Sequence, residues 1–253
     1  MKTNTRRKEI LECLKTNGSV NILELAALYN VSSMTIRRDL KFFSDQGSVT
    51  LIHGGATFNR GSIFIHNLSF KEEHLQKEKN RIANFCVNLI SEGSAVFIDC
   101  GSTTKELAEA LSQKKNIVVM TNSLPVINIL STVKDIKLIT VPGIFKEKTQ
   151  GFSGQMTSRF MREFKIDVLF LGSAAFDISR GATNPDIDDT ETKRILVKQA
   201  TRVVLVVDHT KLGESSFMTI AAPREIDTIV TDKDADPEMI EKIKKLGIEV
   251  FLV

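Results

Sequence analysis

From about residue 95 to residue 253 the chain repeats one pattern, a short run rich in Val and Ile, a polar turn, and a segment of helical period. The runs are Ala95–Asp99, Ile117–Thr121, Ile136–Val141, Val168–Gly172, Val203–Asp208, Thr228–Thr231 and Ile248–Val253. Most are continuously apolar rather than alternating, as strands buried on both faces must be. Thr104–Leu111 and Pro237–Leu246 are helical segments between them. Such alternation predicts an α/β domain with a largely parallel sheet and helices on both faces. Ligands of such sheets bind beyond the carboxyl ends of the strands, so the residues following each run are the candidate site.

Those residues are polar. Asp99-Cys100-Gly101-Ser102-Thr103-Thr104 runs straight into a helix. Glycine, hydroxyls and the backbone N–H groups of a helix start make an anion cradle suited to a phosphate. The plain alternative is a capped βα turn. The loop is neither a Walker loop nor a G-x-G-x-x-G fingerprint, which argues against ATP or a dinucleotide, and no cofactor is expected. Thr121-Asn122-Ser123 follows the second run, with a helix cap as its alternative, and Pro142-Gly143 follows the third. After Val203–Val207 comes Asp208-His209-Thr210-Lys211. Lys211 can neutralise a phosphate and Asp208 can accept from sugar hydroxyls; as a surface ion pair the two would contribute little. Four polar groups at strand ends converge on one expected effector site.

The N-terminal part differs in charge. Residues 1–81 carry 13 Lys/Arg against 8 Asp/Glu, while residues 82–253 carry 21 against 23. A basic module on a mildly acidic body is the asymmetry of a DNA-binding arm. Ile10, Leu11 and Leu14 give a helical stripe from Arg6 to Asn17, stopped by Gly18. Asn21 is the expected cap of a helix over Ile22–Tyr29, and Ser32 that of a third. Three short helices, the last two joined by a tight turn, predict a helix-turn-helix. In the third, Ile36, Leu40 and Phe43 share the inner face, which turns Met34, Arg38, Lys41 and Asp45 outward with Arg37 at the edge. Ser33 and Thr35 lie in the first turn, where a recognition helix meets base edges. Arginine bonds guanine or clamps a phosphate, and sequence does not separate the two roles. The alternative for Arg37-Arg38 is a solvated face with Asp39 as partner. Ser48 to Ile52 and His53-Gly54-Gly55-Ala56 predict a β-wing, with His53 touching the DNA backbone or closing the wing.

These residues carry a family resemblance. Leu25-Ala26, Val31-Ser32, Thr35-Ile36-Arg37-Arg38-Asp39-Leu40 and His53-Gly54-Gly55-Ala56 closely resemble the DeoR-type (DeoR/GlpR) bacterial repressors of sugar metabolism. Asp99-x-Gly101-Ser102-Thr103-Thr104, Thr121-Asn122-Ser123 and Asp208-x-Thr210-Lys211 resemble that family's effector-domain motifs, so the likeness covers nearly the whole chain. It implies an effector domain similar in fold to ribose-5-phosphate isomerases. Four departures stand out. Leu51 occupies a position commonly basic in the family, Pro142-Gly143 replaces Gly-Gly, and Ala174-Ala175 replaces a frequent Asp-Gly. Asp188 or Asp189 stands where a Glu is frequent before the helix entering Lys193-Arg194.

The expected architecture is a winged helix-turn-helix over residues 1–57, a linker over 58–75 and an effector domain over 76–253. Linker residues Phe58 to Phe70 show no sustained period, and their aromatics suggest docking. Lys71 to Arg81 resembles a solvated helix start with Glu73 and Lys77 as an i, i+4 pair. Cys13, Cys86 and Cys100 are too few and scattered for a disulfide framework or a Cys-x-x-Cys metal site, and no metal is expected. No apolar run approaches a membrane span and the polar start lacks a signal-peptide core, so a cytoplasmic protein without membrane association is expected. The expected function is a repressor of a carbohydrate or polyol operon. It would bind double-stranded operator DNA as a homo-oligomer, dimer or tetramer, and release it when a phosphorylated sugar or polyol binds. The alternative is a sugar-phosphate isomerase-like enzyme with an accessory DNA-binding module, for which Asp99, Asp188 and Asp208 are the candidate carboxylates. A scaffolding role explains neither the wing nor the polar strand ends.

Overall fold

The computed structural model describes residues 3–45, 47–59, 68–73, 75–111 and 114–253, with the backbone alone at residues 4, 15, 69, 70 and 73. The chain divides into two compact units after Phe70.

In the first unit, α1 (Thr3–Asn17), β1 (Ser19–Asn21), α2 (Ile22–Tyr29) and α3 (Ser33–Asp45) precede β2 (Val49–Ile52) and β3 (Gly55–Phe58). Asn21 caps α2, its Oδ1 accepting from Leu23 N–H at 2.7 Å. Asn30 takes a left-handed φ of 50° and ends the helix. Ser32 Oγ then accepts from Thr35 N–H at 3.2 Å and starts α3. Ile36, Leu40 and Phe43 all face inward, packed with Ile10, Leu14, Leu25 and Val49. The wing turns through Gly54 at φ +79°. The strand β1, not anticipated from three residues without alternation, pairs antiparallel with β3 and makes the wing three-stranded. Gly55 is required there, because a Cβ would lie 2.1 Å from the Val20 carbonyl oxygen.

The second unit begins inside α4 (Leu68–Glu73) and continues with α5 (Gln76–Cys86). Then follow β4 (Ala95–Ile98), α6 (Ser102–Ala110), β5 (Ile117–Thr121), α7 (Leu124–Leu130) and β6 (Ile136–Thr140). A hairpin of β7 (Ile144–Lys146) and β8 (Gly151–Ser153) leads to α8 (Gln155–Met161) and β9 (Ile166–Leu171). After β10 (Ala175–Asp177) and β11 (Gly181–Asn184) come α9 (Ile187–Gln199), β12 (Ala200–Val206) and β13 (Met218–Ala221). The chain closes with β14 (Thr228–Thr231), α10 (Pro237–Lys245) and β15 (Glu249–Leu252).

All seven anticipated runs fall in one sheet of order β15-β14-β12-β9-β4-β5-β6, and every neighbouring pair is parallel. From β4 the chain builds outward to β6, returns to β9 on the other side, and builds outward to β15. The winding direction therefore reverses between β4 and β9, and such a switch point opens a crevice at the strand ends. Successive side chains of each strand face opposite ways. Val96 and Ile98 pack under α5, α6 and α7 with Ile82, Leu107 and Val126. Phe97 joins Met161, Leu196 and Ile240 beneath α8, α9 and α10. The hairpin and a small antiparallel sheet of β10, β11 and β13 are additions to the expected architecture.

The linker segment departs from expectation. Leu75, at φ +52°, separates α4 from α5, and Lys79 is 3% exposed, so the charged stretch is not uniformly solvated. Its spacing places Lys79 on the same face as Ile82 and Cys86, which pack on the sheet. Phe58, placed at the start of the linker by sequence, ends β3 and packs against the core of the first unit. The expected Glu73–Lys77 pair and the docking of the other linker aromatics involve residues 60–67 and the side chains of 70 and 73, outside the described residues. Among the described residues no helix is long and apolar enough to cross a membrane.

Candidate functional site

On α3 the side chains of Ser33, Arg37, Arg38 and Lys41 are exposed, and Thr35 is half-buried with its Oγ1 3.0 Å from Ser32 Oγ. His53 is exposed at the wing turn. Asp39 is not held by the neighbouring arginines. It is 2% exposed and turned inward, where its Oδ2 accepts from Arg6 Nε at 2.7 Å and its Oδ1 from Arg7 Nε at 2.8 Å. Arg7 also lies 3.8 Å over the Phe42 ring. The acid therefore braces α3 against α1, while Arg37 and Arg38 face away from the core.

In the second unit the switch point holds a buried ionic group that sequence spacing did not reveal. Lys193, on α9, donates to Asp99 Oδ2 at 2.7 Å and to the Gly172 carbonyl at 2.9 Å. Gly172 N–H donates to the same Asp99 oxygen at 3.0 Å, so the ends of β4 and β9 are laced together. Asp189, one turn before Lys193, adds a second carboxylate at 3.5 Å from the ammonium and accepts from Asn184 Nδ2 at 2.7 Å. Of the two acids left open by sequence, Asp189 points inward and Asp188 pairs outside with Lys146 at 2.7 Å. Burial favours the neutral form of each group. For Lys193 the two carboxylates overcome that desolvation and raise its pKa, holding it charged. Asp99 is pushed above the usual carboxylate range by burial, against the pull of Lys193 and with the help of Asp189. Desolvation and the same two acids push the Cys100 thiol up, leaving it a neutral, packed group.

Of the predicted strand-end residues, Asn122 reaches this group through Cys100, its Nδ2 lying 3.8 Å from the Cys100 Sγ that in turn lies 3.7 Å from Asp99 and Asp189. Ser102, Thr103 and Thr104 are buried in the first turn of α6, and Thr104 Oγ1 donates to the Gly101 carbonyl at 3.0 Å. The first amides of a helix have no partner within it. Thr121 is structural, its Oγ1 donating to the Ile98 carbonyl at 2.7 Å and accepting from Ser123 N–H at 3.0 Å. Asn122 Nδ2 donates to the Phe152 carbonyl at 2.9 Å. Asn122 Oδ1, Ser123 Oγ, Ser153 Oγ and Ser173 Oγ are buried without a hydrogen-bond partner among the described residues. Such atoms are costly unless something completes them. Ser153 and Ser173 were missed: Ser153 ends the short β8, which carries no strand signal, and Ser173, although it directly follows the run Val168–Gly172, stands before Ala174-Ala175 without polar companions.

The β7–β8 hairpin, which carries Ser153, is bonded to the residues that follow β5. Phe152 N–H donates to the Asn122 carbonyl at 2.7 Å and Leu124 N–H to the Gln150 carbonyl at 2.9 Å. A Cβ at Gly151 would stand 2.9 Å from Cys100 Sγ, and one at Gly143 2.2 Å from Thr157 Oγ1, so both glycines mark close approaches. Asp208 is buried and caps the short 3₁₀ turn His209–Lys211, accepting from Thr210 N–H at 3.1 Å. It is thus not a surface group, and it fixes the turn that ends in Lys211.

Residues 74–233 match the DeoR C terminal sensor domain, and residues 6–61 match the DeoR-like helix-turn-helix domain. The chain belongs to the DeoR family. It is 32% identical to the glycerol-3-phosphate regulon repressor of Escherichia coli K12, over 100% of both chains. It is 31% identical to the transcriptional regulator IolR of Bacillus subtilis, over 98% of each. It is also 31% identical to the lactose phosphotransferase system repressor of Staphylococcus epidermidis, over 94% of this chain and 95% of that one. Among solved structures, RipA from Yersinia pestis shares the fold, with a TM-score of 0.50, 10% identity and 67% of this chain against 52% of that one. Ribose 5-phosphate isomerase A from Methanocaldococcus jannaschii gives a TM-score of 0.40 at 17% identity over 54% of each chain. As a DeoR-family protein the chain is a DNA-binding transcriptional repressor and not an enzyme.

Proposed function

We propose that this DeoR-family protein represses an operon for uptake or catabolism of a carbohydrate or polyol, and leaves its operator when a phosphorylated sugar or polyol binds at the β4–β9 switch point. The observation that carries the effector reading is the set of unpartnered buried polar atoms on Asn122, Ser123, Ser153 and Ser173, together with the start of α6, which no side chain caps. In this reading the α6 amides with Ser102, Thr103 and Thr104 hold the phosphate and Lys211 neutralises it. Asn122 and Ser123 take sugar hydroxyls, Gly101 and Gly143 permit close approach, and Asp99, Thr121 and Asp208 hold the frame. Relatives named for a glycerol-3-phosphate regulon and a lactose phosphotransferase system support this chemical class.

For DNA, Ser33 and Thr35 meet base edges from the first turn of α3, Arg37, Arg38 and Lys41 contact bases and phosphates, and His53 reaches the backbone from the wing. Residues 1–57 bind, 76–253 sense, and 58–75 connect them. A cytoplasmic homo-oligomer, dimer or tetramer, places two recognition helices on two half-sites. The effector acts by binding the released arrangement more tightly than the DNA-competent one, which shifts the population between them.

A thermal-shift screen of phosphorylated sugars and polyols, followed by gel-shift titration of the operator with each stabilising compound, tests the reading. A ligand of the native state raises the melting temperature, and the same compound is expected to dissociate the operator complex. Stabilisation only by unphosphorylated sugars, or stabilisation without operator release, would refute it.

A further inference from the structure

We propose that Lys71, the first residue of the second unit, belongs to the wall of the effector site and contacts the anionic group of the effector, a phosphate monoester. This rests on the effector-site reading above and adds to it a residue from outside the strand ends.

The argument begins with charge. Asp99 and Asp189 are buried together, and Lys193 is bonded to the first and 3.5 Å from the second. Lys71 and Lys211 add two more ammonium groups, and Lys71 feels the charges of Lys211, Lys193, Asp189 and Cys100. Among the described residues the Lys71 ammonium makes no hydrogen bond or ion pair within 4.0 Å. A desolvated cation beside two others is unfavourable by itself, and its pKa falls to about 8, first through burial and then through Lys211 and Lys193. A phosphate monoester carries close to two negative charges at neutral pH, which matches the two ammonium groups not committed to the buried acids.

The second line is geometric. Lys79 Nζ on α5 donates to the Lys71 carbonyl, and Glu72 pairs with Lys105 on α6 at 3.1 Å. Lys105 N–H donates to the Gly101 carbonyl at 3.0 Å, in the turn that opens the proposed phosphate cradle. The residue after Lys71 is thus tied to the helix whose amides would hold the phosphate. Asn122 Oδ1 and Ser123 Oγ, each on a fully buried residue, supply unpartnered polar atoms at the end of the neighbouring strand β5. Lys71 is also the first residue of the second unit, one bond beyond Phe70.

The test uses the full chain with inorganic phosphate as probe, titrated by calorimetry into wild type, Lys71→Met and Lys71→Arg, with sodium chloride as the control anion. The expected result is a dissociation constant raised about tenfold or more in Lys71→Met, as for loss of a charge-assisted bond, and largely retained in Lys71→Arg. Equal affinity in wild type and Lys71→Met overturns the role of Lys71 while the effector reading stands. Wild type that binds phosphate no better than chloride overturns both. Should Lys71→Met fail to fold, reductively methylated wild type answers by NMR, with the Lys71 resonance assigned from Lys71→Arg. That resonance is expected to shift on phosphate addition, and a stationary one overturns the proposal.

Discussion

Lys193 Nζ lies 2.7 Å from Asp99 Oδ2, although the two residues stand 94 positions apart. Because the same ammonium also holds the Gly172 carbonyl, one side chain from α9 closes the seam between β4 and β9. Lys193→Met removes the cation and leaves two buried carboxylates facing each other. Breaking one side of a buried pair typically costs about 3–5 kcal/mol, so a large drop in the urea midpoint of the second unit is expected. Adding Asp99→Asn to that variant should restore part of the loss; no recovery would mean that the ion pair is not what the lysine stabilises.

Asp39 predicts a different failure. It is the inward brace of an otherwise outward-reading stretch, and Asp39→Ala strands Arg6, itself 5% exposed. About 3 kcal/mol or more of destabilisation is expected in the first unit. Thermal unfolding should show its transition lowered with that of the sensor unchanged, and operator binding weakened without any lost DNA contact.

Arg38→Ala separates binding from folding. The side chain is exposed, and surface substitutions usually stay within about 0.5 kcal/mol of wild type. Operator affinity should fall by roughly 1–3 kcal/mol if Arg38 reads a base, with relaxed specificity at that base pair. A uniform loss across sequences with a shallower salt dependence would assign it to a phosphate instead. Unchanged gel-shift binding would take it out of the interface.

A pH effect follows from Lys71 and Lys79, whose pKa values are both held down to about 8, first by desolvation. The ordinary value is 10.5, so between about 8 and 10.5 the unfolded chain binds more protons than the folded one. Stability therefore rises with pH across that window, and the penalty is complete below it. Anion binding reverses the shift by adding a negative charge nearby. At pH 8, phosphate binding is expected to take up protons, seen as a dependence of calorimetric heat on the ionisation heat of the buffer. Lys71→Met should reduce the uptake, and proton release in wild type would contradict the reasoning.

What the chain discloses before folding depends on range. The seven parallel strands are legible because each is a continuous apolar run that only a sheet covered on both faces explains. The helix caps at Asn21 and Ser32 are equally local, and both form as expected. The β7–β8 hairpin and the β10, β11 and β13 sheet are not, since strands of three or four residues such as Gly181-Ala182-Thr183-Asn184 carry no period and little β-propensity. Within the site, hydroxyls after strands are visible one at a time. That Asp99 would be taken by Lys193, and Asp39 by Arg6 and Arg7, is a matter of partners 94 and 33 or 32 positions away. No spacing rule reaches that far. Lys79 shows the converse, a charge assumed solvated because its neighbours in sequence are charged, when its neighbours in space are not.

The sensor interior is split into two separate clusters, one on each side of the sheet, and Asn122, Ser123, Ser153 and Ser173 belong to neither. On the proposed effector reading, recognition and cohesion are thereby uncoupled at those positions. On that reading, a lineage that exchanges one nutrient for another has only to redraw a few buried hydroxyl and amide contacts, while the load carried by the strands passes unchanged to every descendant.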